Sequence, residues 1–399
     1  MDDQDVEAVG RRIARARKLR GLTQRQLAER VPCSKSLIAQ VESGHKPASM
    51  ALVSGVARVL RVSVGELTGQ PYRRAERSDR VHATVPDIRR ALLSWDVPDE
   101  QVPPRSFQEL RADVTRASRL GRDARYGQLG ELLPGLLEEL TTACHAADER
   151  DQPALFGLLS EAYTGVTGIA YALGYFDLRS LAMDRVQSAA VASQDRLRIA
   201  RTQWQRSTLF LAAAAYGKGA LLLDRVRHDL GSDVAHMDEP TLSVYGSTHL
   251  CSAIAAARTP DASAAWDHIR EAREIARLQG RDANHYGLEF GPSNVGMHAV
   301  AVAVEMYDGG EAVRLAREIR LPAGVAPVRR GHYYIDLARA YLYAGDRKRS
   351  LETLQRARRV SPQQTRNHPM VRETTRMLVD LERRRSESLS GFVSWLGMP

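Results

Sequence analysis

Between Thr23 and Gly44 the chain reads TQRQLAERVPCSKSLIAQVESG, and its second half sets an amine (Lys35), a hydroxyl (Ser36) and a carboxamide (Gln40) together. Leu37, Ile38 and Val41 fall on the other side of a helical projection, so the polar groups face outward. Such a set forms hydrogen bonds; it does not break covalent bonds. Signatures of catalysis are missing elsewhere. GKGALL at Gly217 lacks the third glycine and the preceding strand of a dinucleotide loop, and GxxxxGKS/T, HExxH and GxSxG do not occur. The eleven histidines show no metal-ligand spacing, and the adjacent Glu138 and Glu139 suit a solvated helix face. The expectation is no enzyme, no cofactor and no metal.

Two helices must position these groups. The first starts at Thr23, whose hydroxyl can accept from free backbone N–H groups, and runs to about Val31 with Leu27, Ala28 and Val31 inward. Pro32 and Cys33 interrupt the chain, Ser34 supplies a second N-cap, and Gly44 closes the second helix. Helices joined steeply through so short a turn can lay the second one in a DNA major groove. Around them the spacing predicts a helix over 6–19 with Val9, Ile13, Ala16 and Leu19 inward, a fourth over 50–60 capped by Ser49, and a fifth over 64–68. Arg11, Arg12, Arg15 and Lys18 are candidate phosphate contacts.

LTQRQLAERV, SKSLIAQVESG and HKPAS together resemble the Xre/Cro family of phage-repressor-type DNA-binding domains, over roughly residues 9–68. The resemblance implies a five-helix domain whose Arg17 pairs with Glu42 as a structural ion pair. It places Gln24 where the family fixes a phosphate and braces the reading helix, and Lys35, Ser36 and Gln40 where side chains meet base edges. Lysine suits guanine O6/N7 and glutamine suits adenine N6/N7, while serine accepts several partners. Ser34 can combine capping with a phosphate contact, and His45 and Lys46 lie beside the backbone path. Because such a module reads few base pairs, a homodimer on a near-palindromic double-stranded operator is expected.

Charge agrees with this placement. Residues 8–70 carry 12 Lys+Arg against 3 Asp+Glu, whereas the remaining 45 basic and 45 acidic residues cancel, so the whole excess of +9 sits there. A local surplus of this kind drives sequence-independent attachment through counterion release at phosphates. No run approaches the ~18 apolar residues of a membrane span. The acidic start MDDQDVEAVG is unlike a secretory signal, and Cys33, Cys144 and Cys251 are isolated, so a reduced cytoplasmic setting is expected.

The rest of the chain reads as all-α. We divide it into the DNA-binding domain (1–70), a polar linker and helical connector (71–125), a helical-repeat sensor and dimerisation domain (126–384) and an apolar tail, GFVSWLGMP, within 385–399. Tyr334, Leu337, Ala338, Tyr341, Ser350, Leu354, Ala357 and Pro362 match the spacing of a ~34-residue tetratricopeptide helix pair. Looser pairs over 154–193, 196–230, 241–278 and 293–320 precede it, with single helices over 131–147 and 369–384 at the ends. Stacked pairs form a solenoid with a concave face suited to peptides or partner helices. This architecture is similar to peptide-pheromone-sensing bacterial regulators and to an actinobacterial class of Xre-type regulators with degenerate repeats. A peptide, metabolite or protein effector is therefore expected, as in quorum sensing; the alternative is a DNA-bound scaffold with no small effector. HYGLEFGPSNVGMH, from His285 to His298, breaks the helical monotony. There Ser293 or Asn294 can cap a helix, or the Asn294 amide can bond a peptide backbone. Arg329, Arg330 and Tyr333 can complete a ligand pocket, with a carboxylate or phosphate as the group bound. The tail either caps the last helix or reaches a groove or partner.

Overall fold

A computed structural model describes residues 8–72, 80–99, 101–259, 262–382 and 386–398. The acidic leader, the expected helix start at Val6, most of the polar linker after Gly69, Glu100 of the connector and the expected helix end at Arg384 lie outside those residues.

Five short helices form the N-terminal domain: α1 (Val9–Leu19), α2 (Gln24–Arg30), α3 (Lys35–Glu42), α4 (Met50–Leu60) and α5 (Val64–Thr68). Hydroxyl caps fix their starts. Thr23 and Gln26 make a reciprocal capping box, as do Ser63 and Glu66, while Ser34 and Ser49 accept from Leu37 and Leu52 N–H. Ile13, Leu27, Ile38, Val53, Val56, Leu60 and Leu67 fill the core between them. α1 and α3 approach so closely that a Cβ on Gly10 would collide with the Val41 carbonyl. Leu19 was expected inside but is 82% exposed. At 3.6 residues per turn it lies roughly a quarter turn from the Val9–Ile13–Ala16 arc, on the final turn.

The connector contains α6 (Arg80–Ala83), α7 (Val85–Leu93) and α8 (Phe107–Arg122). Ile88, Leu92, Leu110 and Val114 share one apolar core with the helices that follow. Next come α9 (Tyr126–Ala146), α10 (Gln152–Leu173), α11 (Phe176–Ala192), α12 (Arg196–Ala212), α13 (Tyr216–Leu230), α14 (Glu239–Ala257) and α15 (Ala262–Gln279). After a segment holding a 3-10 turn at His285–Gly287, the chain continues through α16 (Pro292–Glu305), α17 (Gly309–Ala316), α18 (Pro327–Tyr343) and α19 (Arg347–Val360). It closes with α20 (Pro362–Asn367), α21 (Pro369–Leu381) and α22 (Glu387–Trp395).

α10/α11, α12/α13, α14/α15, α16/α17 and α18/α19 pack as pairs, and α12, α14, α16 and α18 also pack on one another in series. This nearest-neighbour stacking is that of a tetratricopeptide-like solenoid. Pro362 follows the end of α19 and then opens α20, where its missing N–H costs nothing. The apolar tail is helical: Leu389, Phe392, Val393 and Leu396 bury against Met370, Val371 and Leu378, capping the stack. Among the described residues the β-structure is one isolated bridge, Ala283–Phe290, and no helix is long and apolar enough to cross a membrane.

Candidate nucleic-acid interface

α3 owes its orientation to one buried carboxylate. Arg17 on α1 donates to Glu42 through Nε (2.6 Å) and Nη2 (2.7 Å), and its Nη1 donates to the Leu22 carbonyl at 2.6 Å. Gln24 at the start of α2 donates to the same carboxylate at 2.8 Å. Burial alone would raise the Glu42 carboxyl, but hydrogen bonds from Arg17 and Gln24, with the Arg17 charge, hold it below its ordinary value. A paired, hydrogen-bonded ion cluster of this kind is costly to break. It ties the end of α3 to α1 and α2, with the Gln24 Nε2 donor as one of the braces.

With its inner face buried through Ile38 and Val41, α3 leaves Lys35, Ser36 and Gln40 exposed. Ser34 is exposed too, its Oγ accepting from Leu37 N–H at 3.1 Å. Arg11, Arg15 and Lys18 are exposed on α1, but Arg12 is only 5% exposed and donates to the Glu66 carbonyl at 3.3 Å. Arg12 therefore packs under α5 and is removed from the phosphate candidates.

The loop after α3 is bound by the repeat body. Lys46 Nζ stands 4.2 Å above the Tyr307 ring, and the Tyr307 hydroxyl accepts from Ser49 N–H at 2.9 Å. Glu305 faces the Ala51 N–H at the start of α4. It is itself paired with Arg258 (3.2 Å) and Arg339 (3.7 Å), and those charges outweigh burial to keep its carboxyl low. Glu373 faces the N–H groups of Val9 and Ala48. Gln70 donates to the Asn367 carbonyl at 2.9 Å, and Arg372 lies 3.9 Å from the Tyr72 ring centre. Glu305 thus meets an amide at the α4 N-terminus, where the peptide dipoles favour negative charge, whereas burial pushes the Glu373 carboxyl up.

The second set of sequence-selected residues lies in the repeats. Asn294 is 3% exposed; its Nδ2 donates to the Leu288 carbonyl at 3.3 Å, while its Oδ1 has no partner. Arg329 Nη2 donates to the same carbonyl at 3.3 Å. The structure brings these two together. Arg330 is half-buried with Nε unpartnered, and Tyr333 is buried among the aliphatic residues of the α14–α18 core. Neither Ser293 nor Asn294 caps α16; Asp282 does, accepting from Ser293 N–H at 3.0 Å and from its hydroxyl at 2.6 Å. Burial lowers Arg329, and burial followed by the Arg329 charge pulls His298 down to about 4. Sequence reading missed Asp282, Tyr307, Glu305 and Glu373, because each acts on a partner distant in sequence or in an irregular segment. Among the described residues no group of three His, Cys, Asp or Glu is placed to hold a metal ion.

Residues 13–67 match the helix-turn-helix family. A Bacillus subtilis (strain 168) protein described as an uncharacterized HTH-type transcriptional regulator, YazB, is 38% identical over 63 residues, covering 16% of this chain and 91% of that protein. Among solved structures, Bacillus thuringiensis PlcR in complex with the peptide PapR7 and DNA is similar at 16% identity. The alignment covers 87% of this chain and 99% of that one, with a TM-score of 0.36. BtubC (BKLC) from P. vanneervenii is similar at 15% identity, with 70% and 95% coverage and a TM-score of 0.34.

Proposed function

Because the chain belongs to the helix-turn-helix family through its N-terminal domain and is a DNA-binding regulator of transcription, we propose that it reads a specific operator and that its repeat body senses a signal. The observation carrying the first half is the exposed Lys35–Ser36–Gln40 face of α3, braced by Glu42 inside the domain that holds the entire basic excess. Lys35 and Gln40 contact base edges, Ser36 assists, and Ser34, Gln24 and Lys46 border the phosphate path. Two copies bind a near-palindromic site, since one reading helix spans too few base pairs for selectivity.

In the sensing half, Asn294, Arg329, Arg330 and Tyr333 line or support the effector site. The effector acts by preferring one placement of the DNA-reading domain on the body, and differential affinity is the only means by which a ligand shifts such an equilibrium. The contacts of Tyr307, Glu305 and Glu373 with the α3–α4 loop and α4 are the mechanical link. The test is sequencing of genomic fragments captured by the purified chain, with and without cell extract. Discrete enriched loci whose occupancy changes with extract support the reading; uniform recovery of fragments contradicts it.

A DNA-bound scaffold is the second reading, favoured by Leu93, Val97 and Val102 of the connector, which are 68%, 67% and 61% exposed. A stoichiometric protein that co-purifies through these side chains, with no effect of low-molecular-weight extract on DNA affinity, selects it.

A further inference from the structure

Between the loop before α8, the C-terminal end of α9 and the N-terminal end of α10 lies an open cavity of about 450 Å³, whose lining includes neither Asn294 nor Arg329. Leu110, Ala143 and Leu155 are its buried floor, and Phe107, on the first turn of α8, stays exposed along its wall. The hollow exists because the helices turn short side chains toward one another: Ala143 and Ala146 on α9, Ala147 just past its end and Ala154 on α10. Longer aliphatic side chains would close such a junction to the density of an ordinary interior; methyl groups leave room for another molecule. Concave, mostly apolar spaces of this size take one small organic molecule, oriented by a few polar groups.

Two charged residues reach the cavity, and they are not equivalent. Arg105 is already committed: its Nε and Nη2 donate to Glu139 at 2.9 and 2.7 Å, and Nη2 also lies 2.9 Å from Asp113. Two carboxylates on one guanidinium leave that corner net negative. Asp151 stands at the N-cap position of α10 in helical backbone geometry, and its side chain does not cap the helix. It is exposed, and its carboxylate makes no ion pair or hydrogen bond among the described residues. The adjoining turn adds Asp148 and Glu149 against the single Arg150. The cavity therefore joins an apolar body to a rim whose negative charge is not compensated.

We propose that this cavity binds a cationic amphiphile: an apolar ring or chain seated on Leu110, Ala143 and Leu155, with a protonated amine held by Asp151 beside Phe107. The carboxylate supplies the charge contact and the aromatic ring a cation–π surface. From the cavity α8 continues to a packing contact with α18, whose Arg339 pairs with Glu305, the carboxylate at the start of α4. An effect of occupancy on DNA affinity rests on the sensing half of the function above; binding itself does not.

Isothermal titration calorimetry of the full chain tests the site with three probes that share one apolar body: naphthylbutylamine, naphthylbutanol and naphthylbutyrate. The amine should bind about fivefold more tightly than the alcohol, and the carboxylate more weakly than either. Asp151→Asn, which keeps the shape and removes the charge, should bring the amine to the alcohol's affinity and leave the alcohol unchanged. Ala154→Trp, which fills the cavity from an exposed position, should abolish binding of all three. Equal affinities for the three probes in the unaltered chain, tightest binding by the carboxylate, or no binding at all overturns the proposal. Binding that survives Ala154→Trp overturns it too, since the probe then sits elsewhere. If Ala154→Trp does not fold, the Asp151→Asn comparison decides alone, because the Asp151 side chain bonds nothing in the fold. Light scattering that shows Ala154→Trp dissociating a self-associated chain, with no probe bound, assigns the cavity to a second copy and overturns the ligand. DNA affinity is read separately on the same samples: probe binding with unchanged DNA affinity supports the site and contradicts its link to sensing.

Discussion

Glu42 receives three hydrogen bonds from two side chains, which makes it the residue on which the placement of α3 depends. Glu42→Ala leaves the buried Arg17 guanidinium unpaired and should cost about 3 kcal/mol in chemical denaturation. Because its folded pKa is lowered, the Glu42 contribution is present above the ordinary glutamate value of 4.5 and is lost as pH falls through the lowered value. Four histidines lowered by burial, His249, His268, His298 and His368, act over a higher window. Burial, then Arg227 and His268, takes His249 down to about 3; burial, then Arg329, takes His298 to about 4. Below 6.5 the unfolded chain binds protons that the folded chain does not, so repeat-body stability falls as pH drops from 6.5 toward 4. His298→Gln should flatten that slope in melts taken across the range. On the outer face of α3, Lys35→Ala and Gln40→Ala should each remove about 1–3 kcal/mol of base discrimination without changing the melting transition. Footprinting across operator variants checks this.

At the scale of elements, the N-terminal helices were legible because their ends carry chemistry in the sequence. Thr23, Ser34, Ser49 and Ser63 announce starts, and the expected α4 and α5 bounds match those observed. α9 begins at Tyr126, earlier than expected, since no hydroxyl cap marks it. Nor did any periodicity mark the course of residues 284–291, because bonds run from Arg122, Asp195 and Arg329 to that one irregular stretch. Lys46 was placed beside the phosphate path from its position after α3, and nothing local in the sequence revealed that Tyr307 also lies under it. Glycines separate packing from propensity. Gly10→Ala drives a methyl group into Val41 at the α1–α3 contact and should destabilise by about 1–3 kcal/mol. Gly168→Ala, exposed within α10 with nothing within 4 Å of the new Cβ, should stabilise by about 0.5–1 kcal/mol. Thermal denaturation of the two variants should move in opposite directions.

For the molecule as a whole, the decisive relation is between the DNA-reading domain and the body that grips its α3–α4 loop and the start of α4. Tyr307→Phe keeps the ring under Lys46 but deprives Ser49 N–H of its acceptor, at a cost of about 1 kcal/mol. Hydrogen exchange should then rise over residues 45–51 while α1 and α2 stay protected. The central claim, that the outer face of α3 reads base pairs, is tested most directly by selection. Random duplexes are enriched on the purified full chain at low salt, in parallel with the Lys35→Ala/Gln40→Ala double variant. The account predicts a recurring motif with half-sites about one helical turn apart for the unaltered chain, and salt-sensitive binding without that motif for the variant. The same motif selected by both chains, or no duplex retained by either at low ionic strength, would contradict it.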